Sequence, residues 1–167
     1  MKSLLLYFAL VAGALLQAVF PTWRWLGYAH APILLGVVLY YALEHSRGMM
    51  LQAAILAGLM QDALGMIPLG YSSFCFCVVA VVASRFKDIV FVHELVTHTL
   101  FGALASGGVT LTLYGLLGKD DLIVLRAGWA IWKTVGAALL GAVLVPLEFE
   151  ILEAADRMLG NVEERET

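Results

Sequence analysis

From residue 95 to residue 117 the chain carries no aspartate, glutamate, lysine or arginine. A helix of about 20 apolar residues crosses the hydrocarbon core of a bilayer, and this run is long enough to do so. In water it would need an equally apolar cover beneath a polar outer layer, and the chain has too little polar material to supply one. Hydrophobic residues make up 62% of the sequence and charged residues 14%, against about 45–50% and about 25% in soluble domains. Mean hydropathy is +0.90. The fold class that follows is an all-α, polytopic integral membrane bundle.

Apolar runs recur along the chain and give a count of six spans. The first is residues 4–20, which carries Gln17 and stops at Pro21. Its apolar run is longer than the 7–15 residues of a signal-peptide core, so it reads as a retained span. Trp23, Arg24, Trp25 and Tyr28 follow as a headgroup-level belt. Residues 33–43 are short for a second span; begun at Trp25, the span would pass through Pro32 with a kink. A polar turn at Glu44–Gly48 then predicts an antiparallel hairpin. The third span runs from Met49 into the stretch discussed below, the fourth over 71–84, the fifth over 95–117, and the sixth over 127–145, ending at Pro146. A five-span alternative lets the second segment only dip into the bilayer.

With the N-terminus inside, Lys2, Arg47, Arg85, Lys87, Arg157 and Arg165 face the cytoplasm, while Arg24, Lys119 and Arg126 face outward. The positive-inside rule then puts both termini in the cytoplasm. Net charge is −3 with few, scattered basic residues, which gives nucleic acid no footprint. Cys75 and Cys77 point to opposite sides of a helix and cannot bridge each other.

The stretch from Gly58 to Gly70 departs most from its surroundings. It sets Gln61, Asp62, Gly65 and Pro68 in the most continuously apolar part of the chain. A carboxylate at a helix centre in the bilayer costs about 2.5–3.5 kcal/mol on insertion scales. On a helix Ala54, Gly58, Gln61 with Asp62, and Gly65 share one face, small and polar, which must look into protein. Gly65, Pro68 and Gly70 then let the backbone turn sharply.

Other candidates for chemistry are weaker. His93 and His98 flank Glu94 but stand five apart, whereas zinc-protease histidines stand four apart on one helical face. Lys133, inside the sixth span, reads either as a lysine snorkelling to the interface or as a counter-ion for Asp62. Gly102, Ser106 and Thr110, with Ala137 and Gly141 in the next span, are small residues at the four-residue spacing that lets helix backbones approach. From Glu148 onward the chain is acidic. Leu147, Ile151, Leu152, Ala155, Met158 and Leu159 recur at helical spacing, predicting a short amphipathic helix over 147–160 that packs on the cytoplasmic ends of the bundle, with its acids on the other faces. Residues 161–167 read as a disordered tail. No set of residues supports catalysis, a metal or a cofactor.

Three of these features together resemble the bacterial rod-shape-determining MreD family: the proline-led apolar segment 32–43, Gly58-Leu-Met-Gln-Asp62, and Gly65-Met-Ile-Pro68-Leu-Gly70. The motif resemblance spans roughly residues 32–84; the last third is similar in hydropathy and length alone. It implies a non-enzymatic protein of the bacterial cytoplasmic membrane, acting in the elongation complex that builds lateral peptidoglycan. The implied direct partner is the bitopic scaffold MreC, with MreB, RodA and a class B penicillin-binding transpeptidase in the same assembly. It also implies a six-helix shape like that of the substrate-binding subunits of energy-coupling-factor vitamin transporters, and such a small-molecule-binding subunit is the alternative function. Gly58, Gln61, Asp62, Gly65, Pro68 and Gly70 are expected to have structural or partner-interface roles.

Overall fold

The computed structural model describes residues 2–20, 29–86, 95–119 and 127–158. All six regular elements are α-helices: α1 Lys2–Val19, α2 Ile33–Glu44, α3 Arg47–Gly65, α4 Tyr71–Arg85, α5 Leu95–Lys119 and α6 Ala127–Met158. The aromatic belt at 22–28, His93 with Glu94, and the tail beyond residue 158 lie outside the described residues.

The bundle is built around its shortest helix. α2 is 12 residues long, or about 18 Å at 1.5 Å per residue. Its sequence Ile-Leu-Leu-Gly-Val-Val-Leu-Tyr-Tyr-Ala-Leu-Glu is apolar around the whole circumference, and a helix of that kind is stable only inside a protein. Every residue from Ile33 to Leu43 is buried, and all five other helices pack on it. An extension of this helix back to Trp25 does not occur. Residues 29–32 are not helical, and Pro32 stands at the N-cap, because proline suits the start of a helix and disfavours helical backbone in the residue before it.

Neighbouring helices alternate in direction. Gln17 near the end of α1 meets Leu34 at the start of α2, and α2 and α3 are joined through His45 and Ser46. Residues 66–70 turn α3 back into α4. Near the far end of α4, Phe86 contacts Phe101 in α5, and His98 near the start of α5 stacks on Phe149 late in α6. The starts of α1, α3 and α5 therefore share an end with the finishes of α2, α4 and α6.

α5 and α6 make the most extensive helix pair, and the stripe of small residues explains why. A β-carbon on Gly102 would meet the Gly141 carbonyl, and one on Gly141 would meet Ser106 Oγ and the Gly102 carbonyl. Backbone therefore touches backbone, the close approach expected where packing cannot draw on hydrophobic burial. These two helices are long and apolar enough to cross a membrane, and most of the apolar window of each lies outside the protein core. Exposed apolar side chains also cover the outer faces of α1 (Leu4, Phe8, Leu15) and α4 (Phe74, Val78, Val82).

α6 departs from expectation. It runs 32 residues without a break through Pro146, instead of ending there and restarting as a separate amphipathic helix. The buried face of its last turns is only partly the expected one: Leu152 is buried and Ala155 half-buried as that spacing requires, but Leu147, Ile151 and Met158 are exposed, while Phe149 and Asp156 turn inward.

Candidate functional site

Asp62 joins two helices. It is fully buried at 0% exposure. Its backbone carbonyl closes α3 by accepting from the Met66 and Ile67 N–H groups. Its carboxylate opens α4: the Gly70 N–H donates to Oδ2 at 2.7 Å and the Ser72 N–H to Oδ1 at 3.0 Å. The first N–H groups of a helix have no partner within it, and a carboxylate there satisfies them while meeting the positive end of the helix dipole. One side chain thus removes the desolvation problem of the acid and of the helix start together.

The rest of the motif shapes the same joint. A β-carbon on Gly58 would collide with the Ser73 backbone, so glycine sets the separation of α3 and α4. Gly70, at φ +108°, holds the left-handed conformation before α4. The left-handed residue at the end of α3 is Met66, at φ 51°, while Gly65 is the last residue of the helix. Pro68 follows two residues later, where it cannot continue the helix. Gly65 and Pro68 are exposed. Asp62 has no contact that makes Lys133 its counter-ion; the Lys133 ammonium instead lies over the Tyr114 ring, 5.0 Å from its centroid.

Gln61 extends the joint to α1. Gln17 Nε2 donates to Gln61 Oε1, and Gln17 Oε1 accepts from the Leu34 N–H at 3.2 Å. Gln17 therefore caps α2 from another helix, as Asp62 caps α4.

A cavity of about 530 Å³ opens beside this joint, between α5 and α6 and the ends of α1 and α3. Its polar lining comes from Gln17, His30, Gln61, Thr110, Tyr114 and Lys133, with apolar walls from Leu35, Phe76, Val109 and Leu113. Burial, and secondarily the Lys133 ammonium, hold the His30 imidazole below its ordinary pKa, which favours its neutral form.

A second polar cluster lies at the other end of α2. Tyr40 OH donates to Asp156 Oδ2 at 2.6 Å, and His45 Nε2 stands 3.6 Å from the same oxygen. Asp156 is 1% exposed. Tyr41 and His45 lie ring against ring at 4.6 Å, and Tyr40 meets Phe149 edge-on. Further in along α6, the Glu148 carboxylate presses against Gly36 of α2. Both Glu148 oxygens are buried without a hydrogen-bond partner among the described residues. Helical spacing places these acids off the apolar face of the last turns, so the cluster is not legible from it. The available signal was Tyr40, Tyr41 and His45 at one end of an otherwise wholly apolar helix.

The structure thus brings Gly58, Gln61, Asp62 and Gly70 into one joint and leaves Gly65 and Pro68 on its surface. His98, the part of the histidine pair that is described, packs its ring on Phe149 at 4.4 Å. Compared with protein-family models, curated proteins and solved structures, the chain matches none.

Proposed function

We propose that this chain is a non-catalytic, multi-pass scaffold of the bacterial cell-elongation machinery, in the manner of MreD, and that its surface binds a bitopic partner such as MreC. The observation that carries this reading is the use made of the motif. Both Asp62 carboxylate oxygens are taken up by the backbone of the next helix, and Gly58 is taken up by the approach of Ser73. These residues build a rigid joint and leave no reactive group pointing at a substrate. A rigid bundle with exposed apolar faces on α1 and α4 suits packing against a partner's single span, where shape and close contact supply the energy.

The six-segment arrangement belongs to the same reading. Alternating helix directions and the distribution of basic residues support both termini on the cytoplasmic side of the bacterial cytoplasmic membrane. α2 and α4 are too short to cross about 30 Å of hydrocarbon alone; α2 needs no lipid contact, because the other five helices surround it.

Depletion of the protein in a rod-shaped host tests the proposal. Cells are expected to round up, and MreC is expected to co-purify with the tagged chain from detergent extracts. Unchanged cell shape together with absence of MreC from the eluate would overturn it.

A further inference from the structure

The cavity beside the Asp62 joint has a charge pattern that the scaffold reading does not use. None of its described lining residues is an aspartate or glutamate, yet Lys133 lines it, with its ammonium over the ring of Tyr114, another lining residue. Among the described residues, Lys133 makes no ion pair with a carboxylate; its ammonium lies over the Tyr114 ring face. That contact leaves the ammonium able to take an anion, because a cation held over an aromatic face keeps its other donors. Gln61 spends its oxygen on Gln17, so its Nε2 donors are left to the cavity. Ser106 borders the same space, but its buried Oγ lies against Gly141 at the α5–α6 contact and is not counted among the cavity donors. Gln17, His30 and Thr110 complete the polar lining, and the remaining described walls are mostly aliphatic and aromatic. The volume of about 530 Å³ falls within the roughly 300–1,000 Å³ common for small-ligand sites.

We propose that this cavity binds an amphipathic monoanion, with its acid group between Lys133 Nζ and Gln61 Nε2 and its apolar body along Leu35, Phe76, Val109 and Leu113. Among the described lining residues Lys133 stands without a neighbouring acid, which selects for negative charge, and the apolar walls select for a hydrocarbon body. Two sources offer this chemistry: an anionic phospholipid that inserts its headgroup and part of a chain, and a soluble carboxylic acid. The site is independent of the scaffold assignment and requires no change in the bundle.

Purified full-length protein in dodecyl maltoside tests the site by native mass spectrometry and by the shift of the thermal unfolding midpoint. One arm adds phosphatidylglycerol against phosphatidylcholine; the other adds octanoate against 1-octanol. The acidic member of at least one pair is expected to bind and raise the midpoint, its neutral counterpart binding at least tenfold more weakly, about 1.4 kcal/mol. Binding only phosphatidylglycerol assigns the lipid source, and binding only octanoate the soluble one. Lys133→Gln is expected to weaken binding about tenfold, Lys133→Arg to retain it, and Arg85→Gln, at the opposite end of the bundle, to leave it unchanged. Leu113→Trp, which fills the cavity and keeps the cation, is expected to abolish binding, and serves if Lys133→Gln does not fold. Equal binding of acidic and neutral probes, no binding by either acid, or full affinity in Lys133→Gln or Leu113→Trp would overturn the proposal.

Discussion

The two ends of α2 each hold a buried aspartate, and the two are stabilised differently. Asp62 is held by backbone N–H groups eight and ten residues along the chain. Asp156 is held by the Tyr40 hydroxyl of α2, with His45 just past that helix 3.6 Å away, both more than a hundred residues distant in the chain. Backbone donors cannot be mutated away, so whatever replaces Asp62 leaves orphaned N–H groups. The donors facing Asp156 can be deleted with it. One end is therefore a fixed joint and the other an exchangeable contact.

The strongest way to break this comparison is Asp62→Leu. Two charge-assisted hydrogen bonds are lost, at about 1.5–3 kcal/mol each, and one buried and one part-buried N–H group are left without partners. Destabilisation of roughly 3–5 kcal/mol is expected in detergent unfolding titrations. No second-site change should recover it, and Asp62→Asn should recover only part, because its amide places a donor against one of the N–H groups. Gly58→Val comes next, at about 2–3 kcal/mol, since a branched side chain cannot enter the contact with the Ser73 backbone. The same titration with Gly58→Ala should fall between it and the wild type.

At the other end the expected effect is smaller and reversible. Tyr40→Phe leaves the Asp156 carboxylate short of a donor and should cost about 1–3 kcal/mol. Adding Asp156→Leu should return at least half of that, because it removes the carboxylate that Tyr40→Phe leaves short of a donor, although His45 then loses its own neighbour. A double-mutant cycle measures this coupling directly, and additive losses would mean that the two ends do not differ as argued. Met66→Gly sharpens the joint in the opposite direction. Met66 is 96% exposed and left-handed, so glycine should stabilise by about 1 kcal/mol through lost strain. Arg157→Ala is the smallest change: its ion pair with Glu153 is one helical turn apart on the surface and should contribute under about 0.5 kcal/mol.

This contrast also marks how far the chain could be read in advance. The helices at 4–20, 71–84 and 95–117 were legible because apolar run length and flanking polar residues are local properties. The Asp62 joint was legible in part for the same reason. A glycine, an acid and a glycine–proline turn within thirteen residues have few ways to fold without leaving the acid unpaired. The small-residue stripe in α5 and α6 likewise announced a close crossing, and Gly102 and Gly141 make one. The identity of the left-handed residue was not legible: helix closure on the Asp62 carbonyl put the strain on Met66, one position beyond the glycine that would have carried it more cheaply.

By itself the sequence determined the class, all-α with helices apolar enough for a bilayer, and the place where the chain turns between α3 and α4. It did so because solvation and helix termination depend on residues a few positions apart. Only the tertiary structure decided that α2 is wrapped by the other five helices, that α6 continues through Pro146, and that Glu148 and Asp156 face inward. Those outcomes rest on partners far away in the chain: Gly36 leaves room for one carboxylate, and Tyr40 and His45 hold the other. Whether an acid on a helix faces water or protein depends on the donors that packing brings to it, and helical spacing carries no record of those donors.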